Sequence, residues 1–195
     1  MREGALIVVE GIDGAGKTLN ARWIVRYLRR RGREVIYTKE PTDGAIGRLL
    51  RDWTPRRVAD PRVDALLFSA DRLHHLRRVI EPEIAKGKVI VSDRYMYSTI
   101  AYQGAMLKDR GWVEELNRFA RIPDLSIYLD VDPELGLRRK MGVRRYSEED
   151  VEILRRVRKV YLELVNEEEL ESIDANRDLD QVREDISKLI DRLIS

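Results

Sequence analysis

The feature that most constrains this 195-residue chain is the run Gly11-Ile12-Asp13-Gly14-Ala15-Gly16-Lys17-Thr18. It lies between a short apolar stretch, Leu6–Val9, and an amphipathic one, Lys17–Arg31. The run fits the pattern G-x-x-x-x-G-K-[ST]. The β-branched stretch before it reads as a buried strand. The stretch after it sets Trp23, Ile24, Tyr27 and Leu28 on one helical stripe, and Gly32 stops it. Small residues at such a strand-to-helix turn let backbone N–H groups close on phosphate oxygens, and the helix N-terminus adds positive potential. Lys17 brings a point charge to β- and γ-phosphates, and Thr18 a hydroxyl ligand for Mg2+. The loop from Gly11 to Thr18 is therefore expected to hold a purine nucleoside triphosphate with Mg2+. The guanine-reading pattern N-K-x-D is absent, which favours ATP.

The same alternation of strand and helix runs to the end of the chain. Val35–Thr38, Val89–Val91, Leu125–Asp130 and the weaker Leu170–Ile173 read as strands. Asp60-Pro61 has the form of an N-cap and first helical residue, opening a long helix toward Ala85 that Pro82 kinks. Helices are expected up to Ala105, near Trp112–Arg121, from Asp132-Pro133 to about Gly142, from Ser147 to about Glu169 with Asp150 completing a capping box, and over Leu179–Ile194. The pattern predicts an α/β fold of three layers, a five-stranded parallel sheet with helices on both faces. At 195 residues it predicts one domain, 1–195. The Arg- and Gly-rich stretch Lys140–Tyr146, between two helices, is the best candidate for a mobile segment.

Composition narrows the function classes. There is no cysteine, so a disulfide, a zinc-thiolate centre and a cysteine nucleophile are excluded. Lys and Arg number 37 against 35 Asp and Glu, a net charge of +2, which argues against binding nucleic acid by bulk charge. No apolar run near the start approaches a signal or membrane segment, so a cytoplasmic protein without a membrane partner is expected. Abundant Arg and Glu with two glutamines, Gln103 and Gln181, suit either a hot environment or a lineage with biased base composition.

The phosphate loop alone leaves kinase, switch GTPase, motor and partition ATPase open. A second motif narrows the choice. Val89-Ile90-Val91-Ser92-Asp93-Arg94-Tyr95 is an apolar strand ending in Asp-Arg. The Asp can orient Mg2+ and the Arg can grip a phosphate bidentately, although a plain salt-bridging turn has the same composition.

In order along the chain stand Val9-Glu10-Gly11 through Thr18; Thr38-Lys39-Glu40-Pro41 with Ile46-Gly47 and Arg51; Leu66-Leu67-Phe68-Ser69-Ala70-Asp71-Arg72; Asp93-Arg94-Tyr95; Ser98 with Ala101-Tyr102-Gln103-Gly104; Pro123-Asp124-Leu125; the Arg-rich stretch; and Tyr161-Leu162-Glu163-Leu164. Over nearly its whole length the chain resembles the thymidylate kinases. The resemblance implies a P-loop NTPase fold, transfer of the γ-phosphoryl group of ATP to dTMP with Mg2+, and a homodimer. It implies a catalytic set of Lys17, Asp93, Arg94, Arg144 and Arg145, with Thr18 and Asp93 at the metal. Arg94 and Arg51 are the implied clamp on the acceptor phosphate, and Glu40 falls in the substrate site. Phe68, by composition alone a core aromatic, becomes the ring that stacks on thymine, and Arg72 the group that hydrogen-bonds the base. Asp13 is assigned to the sugar 3′-hydroxyl, Tyr102 to the 2′ position, and Thr99 and Gln103 to the base edge.

Some positions depart from the family pattern. Gly14 and Ala15 stand where some members carry a loop arginine, so Arg138, Arg139, Lys140, Arg144 and Arg145 are the expected source of charge. Lys39 replaces a common Arg, Thr42-Asp43 replaces Gly-Gly, and the Arg-rich lid that the resemblance implies, at about 138–147, is a few residues shorter than in bacterial relatives. His74 and His75 read simply as helix residues. Three rival readings remain: a kinase for another nucleoside or nucleoside monophosphate, a P-loop switch or partition ATPase, and a structural dimer module using the apolar face of the Asp60–Ala85 helix.

Overall fold

The computed structural model describes residues 4–53, 60–141 and 147–194. Strands β1 (Ala5–Glu10), β2 (Val35–Lys39), β3 (Val89–Asp93), β4 (Leu125–Asp130) and β5 (Glu171–Asp174) form one parallel sheet in the order β2-β3-β1-β4-β5. The central strands are apolar in nearly every position because helices cover both faces, and Leu6 to Val9 and Val89 to Val91 are wholly buried. Helix α1 (Lys17–Arg30) packs on β1, β2 and β3 and touches α9 (Leu179–Ile194), which lies along β4 and β5. Helix α5 (Met96–Leu107) packs against α3 (Pro61–His75), α6 (Arg110–Asn117) and α8 (Glu148–Asn166). The fold is the three-layer α/β arrangement of P-loop NTPases that the strand–helix alternation predicts.

Local chemistry sets the helix ends. Asp60 caps α3, its side chain accepting from the Arg62 N–H, with Pro61 at the first position. The expected long helix does not run straight to Ala85. It passes through a π-helical turn at Leu76–Ile80, closed by a Glu81 N–H bond to the Leu76 carbonyl, before α4 (Glu81–Ile84). Pro82 lacks an N–H and its ring would clash with the carbonyl four residues back, so the wider turn accommodates it. Asp132 caps α7 (Pro133–Met141) by accepting from the Glu134 and Leu135 N–H groups. Ser147 and Asp150 form the expected capping box of α8.

One helix has no counterpart in the sequence reading: α2 (Ala45–Trp53). Its signal was present, since Ile46, Leu49, Leu50 and Trp53 recur at helical spacing. Gly47 obscures it, and packing explains that glycine: an added Cβ would lie 2.0 Å from the Thr42 carbonyl oxygen.

A parallel sheet brings all strand C-termini to one edge, and ligands gather where the strand order reverses. Here Gly11 follows β1, Glu40 follows β2, and Asp93-Arg94 ends β3.

Candidate active site

The phosphate loop follows β1 and enters α1 through Gly16, which sits at φ 90° with no side-chain cap. The first N–H groups of α1 thus face the loop's concavity, a cradle for an anion. Gly14, at φ 81°, comes so close to α7 that an added Cβ would stand 1.8 Å from the Gly136 carbonyl oxygen. No side chain fits there without moving α7.

Lys17 is buried and donates to the Ile12 carbonyl at 2.7 Å, lying along the loop that it serves. Burial first, and then the nearby Arg94 charge, pull its pKa down to about 7. Thr18 donates its hydroxyl hydrogen bond to Asp93, whose carboxylate also accepts from the Tyr37 hydroxyl at 3.3 Å. A hydroxyl and a carboxylate oxygen held together beside a phosphate cradle fit Mg2+, which keeps several waters and takes few protein ligands. Among the described residues no cluster of three or more His, Asp or Glu could hold a metal without the nucleotide.

Arg94 adopts a left-handed conformation, φ 72°, rare for a residue with a side chain. Two anchors impose it. Its N–H donates to the Val9 carbonyl at 3.0 Å, and Glu10 pins the residues just after it. Glu10 is fully buried and accepts from the N–H groups of Tyr95 (2.8 Å) and Ser98 (3.2 Å), the Ser98 hydroxyl (2.5 Å) and the Tyr161 hydroxyl (3.1 Å). Burial raises the Glu10 pKa. The Arg94 guanidinium pairs with Asp13, bonds the Ser98 hydroxyl at 3.0 Å and lies 5.3 Å from the Tyr102 ring centre. Tyr102 accepts from the Asp13 N–H at 3.1 Å. Asp13 also pairs with Lys140 from the last turn of α7. Burial would raise the Asp13 carboxyl, but Arg94, Lys17 and Lys140 outweigh it and bring the pKa down to about 2.

Of these groups Asp13, Gly14, Lys17, Thr18, Asp93, Arg94 and Lys140 line an open cleft of about 700 Å3, together with Lys39, Glu40, Pro41, Arg51 and Arg139. Arg51 donates to the Thr42 carbonyl at 2.7 Å and pairs with Asp43 at 3.3 Å. The Thr42-Asp43 departure is thus built in, and Asp71 locks it by accepting from the Thr42 N–H and hydroxyl, each at 2.7 Å.

Arg72, which the resemblance assigns to the base, lies in a buried polar cluster. It is 2% exposed and pairs with Glu40 at 2.9 Å. It also donates to the Tyr95 carbonyl (3.1 Å), the Thr99 hydroxyl (2.9 Å) and the Asn117 side-chain oxygen. Phe68, one turn earlier on α3, is half-buried, and Gln103 is buried on α5. Phe68, Arg72, Thr99 and Gln103 stand outside the lining of the 700 Å3 cleft, whereas Glu40 touches both that lining and Arg72. His74 is exposed, as expected of a helix residue. His75 is 3% exposed and bonded at both nitrogens, to Glu40 (3.0 Å) and to the Thr38 hydroxyl (2.7 Å). Sequence reasoning missed it, along with Asn117 and the anchoring by Glu10. The available signal for His75 was its place three residues after Arg72, on the same helix face. Arg144 and Arg145 lie outside the described residues.

A phosphate cradle, a paired hydroxyl and carboxylate, and an arginine held at a strand end define a P-loop phosphotransferase. Comparison with known proteins gives the particular family. Residues 9–186 match the thymidylate kinase family. The probable thymidylate kinase of Pyrobaculum aerophilum is 41% identical over 194 residues, covering 97% of this chain and 98% of that protein. Those of Pyrobaculum calidifontis and Thermococcus gammatolerans are 43% and 39% identical, with 97% and 98% of each chain covered. The chain belongs to the thymidylate kinase family, enzymes that phosphorylate dTMP with ATP.

Proposed function

We propose that the cleft carries out this transfer with the residue roles that the resemblance and the geometry give together. The observation that carries the reading is the convergence of Lys17, Arg94, Arg51 and Lys140 on one cleft beside the Thr18–Asp93 pair. Phosphoryl transfer asks mainly for positioning and charge neutralisation, and a phosphate oxygen of dTMP is already a nucleophile at neutral pH, so no general base is needed. Lys17 leaves the Ile12 carbonyl for the donor phosphates. Thr18 and Asp93 hold Mg2+, which supplies Lewis-acid neutralisation of the transferring group. Arg94, kept at its left-handed backbone by Glu10 and Val9, and Arg51 clamp the acceptor phosphate. Asp13, with Tyr102 on its N–H, takes the sugar hydroxyl. Glu40, Arg72 and Thr99 form the polar wall toward the base, with Phe68 and Gln103 beside it.

Lid cations Arg144 and Arg145 complete the charge, with Lys140 already at Asp13. Lid closure over the phosphates excludes water and limits wasteful hydrolysis. We further infer one domain over 1–195 with the lid at about 138–147, a homodimer, and a cytoplasmic protein. No described helix is long and apolar enough to cross a membrane.

The test is a coupled ADP-release assay with ATP, Mg2+ and a panel of nucleoside monophosphates. Turnover is expected with dTMP. Turnover with UMP or dGMP and none with dTMP overturns the substrate, and slow hydrolysis with no phosphorylated product points to a switch ATPase.

A further inference from the structure

A buried chain of polar groups runs behind the acceptor side of the cleft, and its end on β2 has no place in the roles just given. Thr38 of β2 bonds His75 Nε2 at 2.7 Å, and His75 Nδ1 bonds Glu40 Oε1 at 3.0 Å. The other oxygen of Glu40, Oε2, pairs with Arg72 Nε at 2.9 Å, and Arg72 reaches Thr99 at 2.9 Å. Glu40, Arg72 and His75 are each no more than 3% exposed. A carboxylate only accepts, so His75 Nδ1 carries the hydrogen that faces Glu40.

That arrangement fixes the Glu40 carboxylate from two directions. Glu40 follows β2 directly and leads into Pro41, where no regular element restrains its side chain. Without the imidazole donor, one of its oxygens is left buried and unsatisfied, and the carboxylate turns to recover a partner. The contact with Arg72 is an ion pair of charge rather than of hydrogen-bond geometry, and its attraction couples the guanidinium to the position of the carboxylate.

We propose that His75 is a positioning residue for the acceptor pocket: it orients Glu40, and through Glu40 the Arg72 guanidinium, for the nucleoside monophosphate. The inference rests on Glu40 and Arg72 belonging to the acceptor site. His75 touches no part of the phosphate loop's bonding, so its effect falls on the acceptor and not on the donor.

Three substitutions separate this role from plain packing. Asn places an amide nitrogen near the Nδ1 position and keeps the donor to Glu40. Gln reaches the Nε2 position and keeps only the Thr38 side. Phe fills the volume and keeps neither. His75→Phe and His75→Gln are expected to raise the KM for dTMP roughly tenfold, the loss of one hydrogen bond to a charged group, with the KM for ATP within about twofold. His75→Asn is expected to return the dTMP KM to within about threefold of wild type. Should His75→Phe fail to fold, the Asn and Gln variants decide alone. Equal dTMP KM values for Asn and Gln, or KM values that rise together for both substrates, overturn the proposal. Arg72→Lys is measured alongside. A raised dTMP KM there with none in His75→Phe sinks the role of His75 alone, whereas no change in either removes Arg72 from the acceptor site.

Discussion

The cleft beside the phosphate loop and the buried Glu40–Arg72 cluster, which we read as the donor loop and the acceptor wall, are built on opposite electrostatic plans. In the donor cleft the cations are parked on partners that a substrate can replace: Lys17 on the Ile12 carbonyl, and Arg94 and Lys140 on the one carboxylate of Asp13. Asp13 keeps 28% of its side chain exposed, and Lys140 keeps 55%. In the acceptor wall the charges are sealed, Arg72 at 2% and Glu40 at 3%. Arg94 and Lys140, which must let go of Asp13 to take a phosphate, stay near water, whereas Lys17 is buried along the loop. A group that only defines the shape of a pocket can be fixed by burial, and burial makes its partner indispensable. Mutations on the two sides should therefore fail in different ways.

The largest effect is expected on the sealed side. Arg72→Ala leaves Glu40 buried without its cation, and breaking a buried pair this way costs about 3–5 kcal/mol. For a chain of this length that lowers Tm by on the order of 10 °C. A thermal melt reads it. A Tm within a degree of wild type would show that the wall is less closed than its exposures state.

On the open side the loss should appear in catalysis. Lys17→Ala and Arg94→Ala are each expected to lower kcat by about 10²–10³-fold, the usual cost of removing a group that stabilises the transferring charge. Their melting temperatures should move far less than that of Arg72→Ala, because Asp13 retains a second cation in either case. Single-turnover kinetics with dTMP check the first half, and the same melts check the second. An Arg94→Ala enzyme within threefold of wild type would remove Arg94 from the phosphate clamp.

The contrast also explains what could be read from the chain before its structure. The phosphate loop is contiguous, and its function comes mostly from backbone N–H groups, so eight residues between a strand and a helix were sufficient. The strands were legible for the same local reason: β4 falls at the expected Leu125–Asp130, and α9 at Leu179–Ile194. The acceptor wall gathers Thr38, Glu40, Arg72, His75, Tyr95, Thr99 and Asn117 from β2, α3, the start of α5, and α6. No spacing rule links those segments. Arg72 was singled out by family likeness alone, and a helix pattern does not say that Glu40 and Asn117 will close over it. His75 was passed over because a histidine beside another on a helix has no local signature until the sheet edge is packed against it.

A smaller effect is expected from Gly14→Ala, which probes how tightly the loop is fitted to α7. Gly14 holds φ 81°, and the added methyl would meet the Gly136 carbonyl oxygen at 1.8 Å. Backbone strain plus the shift of α7 should cost about 1–3 kcal/mol. Tm should fall by several degrees, and because α7 carries Lys140, kcat should fall as well. Gly14→Arg should do worse on both counts and should not replace the lid cations, since the backbone of α7 stands in its way. Unchanged Tm and kcat in Gly14→Ala would show that α7 moves freely against the loop.

The subtlest difference between the two sides is a proton. Burial, seconded by Arg94, holds Lys17 at about 7, against an ordinary 10.5. Between those values the unfolded chain binds the proton and the folded one does not, so this group makes the free protein more stable as pH rises from about 7 toward 10.5. Phosphate oxygens against Nζ reverse the balance, because an adjacent anion favours the charged amine. ATP binding at pH 8 should therefore take up close to one proton, while at pH 6, where Lys17 is already charged, this uptake vanishes. Calorimetric titration in two buffers of different ionisation enthalpy measures it, and Lys17→Met supplies the control without the amine. Equal uptake in wild type and Lys17→Met at pH 8 would place the proton on another group, and would mean that the donor cleft keeps its lysine charged before the nucleotide arrives.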